Sequence, residues 1–301
     1  MSIPLLRTAL FVPGTRPDRV DKALATQTDM VIIDLEDAVP PEQKAEARQT
    51  ARVKLAEHNG ARLMVRCNSL DSGHCEEDLG ALTGAPLGHL FVPKVQSGVE
   101  VERLDQALRK LERGGGLATS SVTLLCLIET PLGVERCFEV ADRLAGFERA
   151  GMLAFGAADY STDMGQELTA GGENLDFPRH RLSNASHAAG LLGPIDSPYM
   201  YDLKDQALLH ADARRARGLG YMGKLCLHPN QVDVCNKVFS PTSEELAFAR
   251  EVIDSFEAVR AKGQGVLMVR GKFVDKPVVE RCQRILAMGG AIEAKAAQKR
   301  A

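Results

Sequence analysis

The sequence predicts an α/β fold, a (β/α)8 TIM barrel with a C-terminal lid or arm extension. Eight short apolar segments alternate with amphipathic helical segments along most of the 301 residues, and about 250 residues is typical of such barrels. A doubly wound open sheet is the alternative arrangement of the same elements. No G-x-G-x-x-G motif follows the first strand, and its lack favours the barrel.

Each predicted strand is a short run of apolar and β-branched residues, as expected for parallel strands that are buried on both faces. Helical spacing of apolar side chains follows most of them. Ser97 and Glu100 form a capping-box pattern after the fourth strand, and Thr242 and Glu245 repeat it after the eighth. The helical pattern after the third strand is short, at 75–82. The eight strands are predicted at 8–12, 30–35, 62–68, 89–93, 123–128, 152–156, 192–196 and 223–227.

The last forty residues differ from the strand–helix alternation. The pattern there predicts a short hairpin around Gly271 and a helix from Pro277. We therefore divide the chain into a barrel catalytic domain at 1–262 and a C-terminal hairpin–helix extension at 263–301. Because a barrel does not need this extension, we expect it to act as a lid or as an oligomer arm.

Composition excludes several classes of function. The formal net charge of −3 gives no bulk attraction to nucleic acid or to a membrane surface, and Trp is absent. No apolar run approaches the ~20 residues of a membrane span, and the first residues lack the order of a signal peptide. Cys67, Cys126 and Cys226 lie in or beside strand-like runs and no C-x-x-C pair occurs, which predicts core cysteines in a reducing cytoplasm.

The stretch VIIDLEDAVP runs from an apolar strand directly into three acids, Asp34, Glu36 and Asp37. Carboxylates are costly to bury unless they are paired, hydrogen-bonded or bound to a metal. In a barrel of parallel strands, the carboxyl ends of the strands form the active-site face. We therefore interpret these acids as part of a polar site at the mouth of a barrel.

Polar residues recur at the ends of the other strands, which supports a shared site. For Asp34, Asp37 and Asp196, a helix cap or a salt bridge explains the position as well as a functional role does. His228 is predicted to be a structural turn residue, and Lys94 is predicted to neutralise nearby acids. The residues at the ends of strands three to eight are Arg66 and Asn68, Lys94, Glu129, Asp159, Asp196 and His228.

Glu129 and Asp159 each end a nearly all-apolar run, on strands that are adjacent in the predicted barrel. Two hard oxygen ligands without a nearby His or Cys suit Mg²⁺. Arg66, at a neighbouring strand end, could hold a substrate carboxylate through two parallel hydrogen bonds. The sequence therefore predicts a metal site with an anion-binding arginine beside it.

Eight segments, in order along nearly the whole chain, resemble one known family. They are RTALFVPGTRPDRVDKAL, VIIDLEDAVPPEQKAEAR, LMVRCN, FVPK, LLCLIETPLG, GAADYSTDMG, GKLCLHPNQV and GKFVDKPVV. This pattern is similar to that of the citrate lyase β-subunit family, in the HpcH/HpaI aldolase and citrate lyase superfamily. The resemblance implies a TIM barrel that binds Mg²⁺, or Mn²⁺ as the alternative, and that cleaves or forms acyl-CoA thioesters of 3-hydroxy acids.

The resemblance also implies roles for individual residues. Glu129 and Asp159 would bind the metal and, through it, the substrate. Arg66 would contact the substrate carboxylate and its oxyanion. Glu36 and Asp37 would be active-site acids that support Arg66 and metal-bound water.

Further roles follow for the first strand, the first helix and the C-terminal extension. Phe11, Arg16 and Lys22 match positions that contact the CoA moiety in malyl-CoA lyases. Asp275 matches an acid that related lyases supply from a neighbouring subunit as general acid and base, so a homotrimer or homohexamer is expected. The alternative is that Asp275 only closes the hairpin. Phe273 departs from the family, where many members have Met, so this tail bears on substrate choice.

The implied reaction is metal-dependent carbon–carbon cleavage of a 3-hydroxyacyl-CoA of the citramalyl-, malyl- or citryl-CoA type, giving acetyl-CoA and a 2-oxo acid. Three alternatives stay open: a malyl-CoA thioesterase, a metal-dependent aldolase acting on small sugar acids, and a carrier-dependent β subunit of a citrate lyase complex. The segment 173–180 has no predicted role.

Overall fold

The computed structural model describes residues 5–260 and 266–298. The chain divides into two compact units, Leu6–Phe239 and a second unit that begins at Ser240 and also includes Leu5. The division thus falls more than twenty residues before the boundary predicted at 262/263. The physical reason is that the helix ending at Arg260 shares a small apolar core with the C-terminal hairpin and helix rather than closing the barrel.

The first unit is a closed barrel of eight parallel strands, so the predicted fold class is confirmed. Each strand pairs with the next along the chain, and the eighth pairs with the first. The strands are β1 Thr8–Pro13, β2 Met30–Asp34, β3 Leu63–Arg66, β4 His89–Val92, β5 Thr123–Ile128, β6 Gly151–Phe155, β7 Ile195–Asp196 and β8 Gly223–Cys226.

Helices connect the strands, and the short helix predicted at 75–82 is present. Ser97 and Glu100 make both hydrogen bonds of a capping box at the start of α4. The helices of this unit are α1 Pro17–Ala25, α2 Lys44–Glu57, α3 Cys75–Leu82, α4 Gly98–Gly115, α5 Pro131–Glu135, α6 Cys137–Ala145, α7 Ala157–Asp163, α8 Asp176–Ala188, α9 Gln206–Gly218 and α10 Val232–Phe239.

The barrel unit has an extensive apolar core, in which strand residues such as Val31 and Ile33 pack with helix residues such as Leu55 and Leu104. All seven cysteines of the chain are buried and free, which confirms the prediction of core cysteines. Across the described residues, no helix is both long and apolar enough to cross a membrane.

The second unit consists of helix α11 Ser243–Arg260, the antiparallel hairpin of β9 Leu267–Val269 and β10 Lys272–Val274, and helix α12 Lys276–Gln298. Arg270 and Gly271 form the turn with φ values of +49° and +74°, as a tight two-residue hairpin turn requires. The predicted hairpin and helix are therefore confirmed.

Candidate active site

A cavity of 890 Å³ opens at the carboxyl ends of the barrel strands. Strand ends and the loops that follow them supply most of its walls, as the parallel barrel topology predicts. Nine of the residues singled out from the sequence line it: Phe11, Arg16, Lys22, Asp34, Asp37, Arg66, Glu129, Asp159 and His228.

Asp34 and Arg66 form a buried, two-point ion pair at the ends of β2 and β3. Arg66 Nε donates to Asp34 Oδ1 at 2.7 Å, and Nη2 donates to Oδ2 at 2.6 Å. The same carboxylate accepts from the backbone N–H groups of Glu36 and Ala38. The salt-bridge alternative for Asp34 is therefore confirmed, and the guanidinium lies over the Phe11 ring at 4.9 Å.

Only Nη1 of Arg66 faces the other two acids of the segment 34–37. It lies 2.9 Å from Glu36 Oε2 and 3.4 Å from Asp37 Oδ2. Glu36 is 7% exposed, whereas the Asp37 side chain is more than half exposed. The Asp37 contact is thus the one that a bound anion can most easily replace.

Glu36 is a buried acid held between two cations, Arg66 on one side and Lys94 Nζ at 3.2 Å on the other. Burial raises the pKa of Glu36 from an ordinary value of 4.5 to about 7, although Arg66 and Lys94 offset part of the effect. Protonated and ionised forms of this carboxyl are therefore both populated near neutral pH.

The raised pKa of Glu36 predicts a pH-dependent stability difference between the wild type and Glu36→Gln. The folded state disfavours the ionised carboxylate. The stability that protonated Glu36 contributes is therefore complete below pH 4.5 and is lost as the pH rises through 7. We expect the wild type to lose about 3 kcal/mol relative to the variant between pH 4 and pH 8. Urea unfolding in EDTA measures the difference.

The exposed Glu46 on α2 offers a matched control, because Glu46→Gln changes the same charge outside the site. We expect its unfolding free energy to follow that of the wild type across this pH range. A Glu36→Gln variant that also does so would show that Glu36 titrates normally.

Glu129, directly after β5, is 4% exposed and accepts the backbone N–H of Lys94 at 3.1 Å. Within residues 5–260 and 266–298, no side-chain nitrogen of a Lys, Arg or His lies within 4.0 Å of its carboxylate. Burial, reinforced by the negative charges of Glu36 and Asp159, raises the pKa of Glu129 well above its usual range. A buried carboxylate without a cationic partner, beside a second carboxylate, fits a divalent cation.

Asp159 lies in the first turn of α7 and lines the same cavity. Ser197 holds the start of this helix, because its hydroxyl accepts the Ala157 N–H at 3.0 Å. Ser197 was not predicted from the sequence, since a serine directly after an acid carries no signal of which backbone N–H group it contacts. The two predicted metal ligands are thus brought to one cavity by β5 and β6.

Gly156 makes room for Glu129, a role that no sequence pattern indicates. A Cβ at position 156 would lie 2.5 Å from both Cβ and Oε2 of Glu129. We expect Gly156→Ala to displace the Glu129 side chain and to lower the unfolding free energy by about 1–3 kcal/mol. Urea unfolding checks this.

Gly80 on α3 is the control for that substitution, because a Cβ there would meet nothing within 4 Å. Gly80→Ala is expected to stabilise the protein by about 0.5–1 kcal/mol, since alanine favours a helix over glycine. Equal effects at the two positions would contradict the proposed crowding at Gly156.

Lys94 follows β4 and extends its ammonium into the group of acids. Nζ lies 3.2 Å from Glu36 Oε1, 3.2 Å from Asp159 Oδ2 and 4.0 Å from Asp37 Oδ1. The prediction that Lys94 neutralises nearby acids is confirmed.

The other acid and the histidine at the strand ends are structural. Asp196 is fully buried and bonds Arg179 through two hydrogen bonds of 3.0 Å, and it also pairs with Lys224. Arg179 belongs to the segment 173–180, which therefore contributes an internal ion pair. His228 Nδ1 accepts the Asn230 N–H at 3.2 Å, which confirms the turn interpretation.

The acids Asp21 and Glu57 lie with His58 on α1 and at the end of α2, close enough together to hold a metal. However, Lys54 Nζ lies 2.8 Å from both carboxylates. This exposed group is therefore an ion-paired cluster on the helices, and it contributes nothing to the cavity at the strand ends.

Asp275 lies in the second unit, between β10 and α12. Its Oδ1 accepts the Val278 N–H at 3.3 Å and its backbone carbonyl accepts the Val279 N–H, so it begins helix α12 as an N-cap. This capping contact is the structural role that Asp275 shows within its own unit.

Comparison with known proteins establishes the family. The model of the HpcH/HpaI aldolase/citrate lyase family matches residues 7–229. The chain belongs to the HpcH/HpaI aldolase/citrate lyase family. Citrate lyase subunit beta of Leuconostoc mesenteroides subsp. cremoris is 32% identical over 292 residues, covering 95% of this chain and 94% of the relative. L-malyl-CoA/beta-methylmalyl-CoA lyase of Cereibacter sphaeroides is 32% identical over 310 residues, covering 96% of each chain.

Two solved structures are similar in fold to this chain. CitE from Mycobacterium tuberculosis, in complex with magnesium, acetoacetate and coenzyme A, has a TM-score of 0.74 and 29% sequence identity, covering 94% of this chain and 98% of that one. RipC from Yersinia pestis has a TM-score of 0.65 and 30% identity, covering 80% and 97%. The predicted family is confirmed, and so is the prediction of a lyase at the level of this family.

Proposed function

We propose that this chain is a Mg²⁺-dependent carbon–carbon lyase that cleaves a 3-hydroxyacyl-CoA of the citramalyl-, malyl- or citryl-CoA type to acetyl-CoA and a 2-oxo acid. The observation that carries the proposal is the buried Glu129 carboxylate, which has no cationic partner among the described residues and lies beside Asp159 at the barrel mouth. Relatives include both a citrate lyase subunit beta and a malyl-CoA lyase.

Glu129 and Asp159 would hold the Mg²⁺, with Mn²⁺ as the alternative. The cation, when bound, supplies a Lewis acid for the hydroxyl and carboxylate oxygens of the substrate. The protein's own contribution is to hold two carboxylates in position, one of them more exposed to solvent than the other. Glu129 is held by the Lys94 N–H, and Asp159 is held by the first turn of α7.

Arg66 would bind the substrate carboxylate and stabilise the negative charge of the thioester enolate. Asp34 fixes the orientation of the guanidinium through Nε and Nη2, which leaves Nη1 for the substrate. An incoming carboxylate would replace Asp37 at the long 3.4 Å contact. Glu36 would keep Arg66 and Lys94 in place during this exchange.

The CoA moiety would lie along β1 and α1. Arg16 and Lys22 line the cavity, are exposed, and pair only with the exposed Asp18 among the described residues. Phosphate groups compete well for such cations. Phe11, under the Arg66 guanidinium, would form the apolar part of this subsite.

Asp275 would act as the general acid that protonates the enolate carbon, and as the base in the condensing direction. It would do so from the C-terminal unit, which we propose to be a lid or an arm of a neighbouring copy in a homotrimer or homohexamer. The exposed Met268 and Phe273 of the hairpin support an arm that packs against another surface. A cytoplasmic location fits the seven free cysteines.

The test is an assay for 2-oxo acid release from citramalyl-CoA, malyl-CoA and citryl-CoA, with Mg²⁺ and with EDTA. We expect Mg²⁺-dependent release of pyruvate, glyoxylate or oxaloacetate from one of the three esters. Free CoA without a 2-oxo acid would favour a thioesterase instead. Activity only with a carrier-bound ester, or no binding of CoA at all, would point to a citrate lyase complex or to a sugar-acid aldolase, respectively.

A further inference from the structure

Lys94 adopts a backbone conformation that is unusual for a lysine. Its φ of +56° lies in the left-handed region, which L-residues with a side chain seldom adopt. Such strain persists where the surrounding structure requires it, often at functional sites. Here the conformation directs the Lys94 N–H to Glu129 Oε1, while the side chain reaches two further acids.

The charges of the cavity explain why the ammonium is placed there. The site contains four acids, Glu36, Asp37, Glu129 and Asp159. Arg66 already donates to Asp34 through two of its three guanidinium nitrogens. Asp159 has no other ion pair than that with Lys94 among the described residues. Lys94 is therefore the cation that holds Asp159 in the metal-free site.

A divalent cation on Glu129 and Asp159 needs the carboxylate that Lys94 contacts at 3.2 Å. Two cations that share one carboxylate repel each other at a separation of about 4 Å, and the low dielectric of a partly closed cavity strengthens this repulsion. The contact of Lys94 with Glu36, also at 3.2 Å, offers the ammonium a second position that keeps one ion pair.

We propose that Lys94 is a positioning residue whose ammonium stands in for the divalent cation at Asp159, and that metal binding displaces it toward Glu36. This inference rests on the proposed metal site. Lys94 therefore has two opposing effects. The side chain keeps the acids together without metal, and it lowers the affinity for the metal.

The experiment is a titration of the full chain with Mg²⁺ by calorimetry, together with thermal melting in EDTA and in Mg²⁺. We expect Lys94→Gln to bind Mg²⁺ about tenfold more tightly than the wild type, because the repulsion between the ammonium and the metal is removed. We also expect Lys94→Gln to melt at a lower temperature than the wild type in EDTA, and its melting temperature to rise more on addition of Mg²⁺. Lys94→Arg, which keeps a cation, should stay near the wild-type affinity. Lys110→Gln, on the exposed face of α4, controls for the change in net charge.

The outcomes separate this inference from the proposed function. Equal or weaker Mg²⁺ binding by Lys94→Gln, with a normally binding wild type, would overturn the role of Lys94 and leave the metal site intact. Tighter binding by Lys94→Arg as well would overturn it too, because the cation would then be irrelevant. No Mg²⁺ binding by any of the proteins would refute the metal site and this inference with it.

Discussion

Replacing Glu129 with glutamine is expected to abolish Mg²⁺-dependent 2-oxo acid release while making the metal-free protein more stable. The carboxylate is buried, and its pKa is raised by burial and by the charges of Glu36 and Asp159. An ionised group in that position costs free energy unless a metal compensates it. Glutamine keeps the size and an acceptor for the Lys94 N–H, but it removes the charge.

Two measurements check the Glu129→Gln prediction. Steady-state assays should show a loss of at least about a thousandfold, because the Lewis acid contributes several kcal/mol to the reaction. Urea unfolding in EDTA at pH 8 should show a gain of about 1–4 kcal/mol, by comparison with buried ion pairs replaced by uncharged residues of similar volume. Glu135→Gln, on the exposed side of α5, is the matched control and should change neither quantity.

The two measurements can fail separately. Retained activity in Glu129→Gln would show that Glu129 is not a metal ligand. A loss of stability at pH 8 would show that its carboxylate is compensated in the metal-free protein. The combination of inactivity and added stability distinguishes a functional acid from a structural one, since a structural acid would lose stability on substitution.

The strand pattern of the barrel could be predicted from the sequence because buried parallel strands are continuous apolar runs. β5 has the predicted bounds, and β1, β2, β4 and β8 differ from theirs by one residue at one end. β6 is shifted by one residue, and β3 is three residues shorter than predicted. β7 is the shortest strand, since only Ile195–Asp196 of the predicted 192–196 forms a strand. Pro194 precedes it and has no N–H to donate to a neighbouring strand.

The boundary between the two units could not be predicted from apolar spacing alone. Helix α11 follows β8 in the order expected for the last helix of the barrel, but α10 at Val232–Phe239 already takes that place. The apolar stripe of α11, including Ala249 and Val252, packs instead on Val269 and Val274 of the hairpin. Periodicity shows that a helix has an apolar face, but it does not show which partner covers that face.

The sequence predicted which residue types form the candidate site and at which strand ends they lie. It did not predict which side chains pair with each other. Strand order alone brings Arg66, Glu129 and Asp159 to one cavity, so this could be predicted without knowing how the side chains are oriented. The commitment of Asp34 to Arg66, and the left-handed backbone of Lys94, depend on distances between separate strands. No spacing within the sequence encodes them.

Removal of the Arg66 guanidinium is expected to give the largest loss of stability in the site. Arg66 is 8% exposed, and it makes two short hydrogen bonds to Asp34 and an ion pair with Glu36 at 2.9 Å. Arg66→Met would leave two buried carboxylates without this cation, which typically costs about 3–5 kcal/mol. Urea unfolding at pH 7.5 measures the loss, and Arg103→Met, at an exposed position of α4, should stay within about 0.5 kcal/mol of the wild type.

A double-mutant cycle with Asp34→Asn tests the cause of that loss. Asparagine removes the charge at position 34 and keeps an oxygen that can accept the Glu36 N–H. If the unpaired Asp34 charge causes the destabilisation, the double variant with Arg66→Met should lose less than the sum of the single losses, by about 1–3 kcal/mol. Additive losses would show that Asp34 is not the counterion that fixes Arg66. In that case the guanidinium would be free to turn its paired edge toward a substrate carboxylate, and the assignment of substrate binding to Nη1 would be wrong.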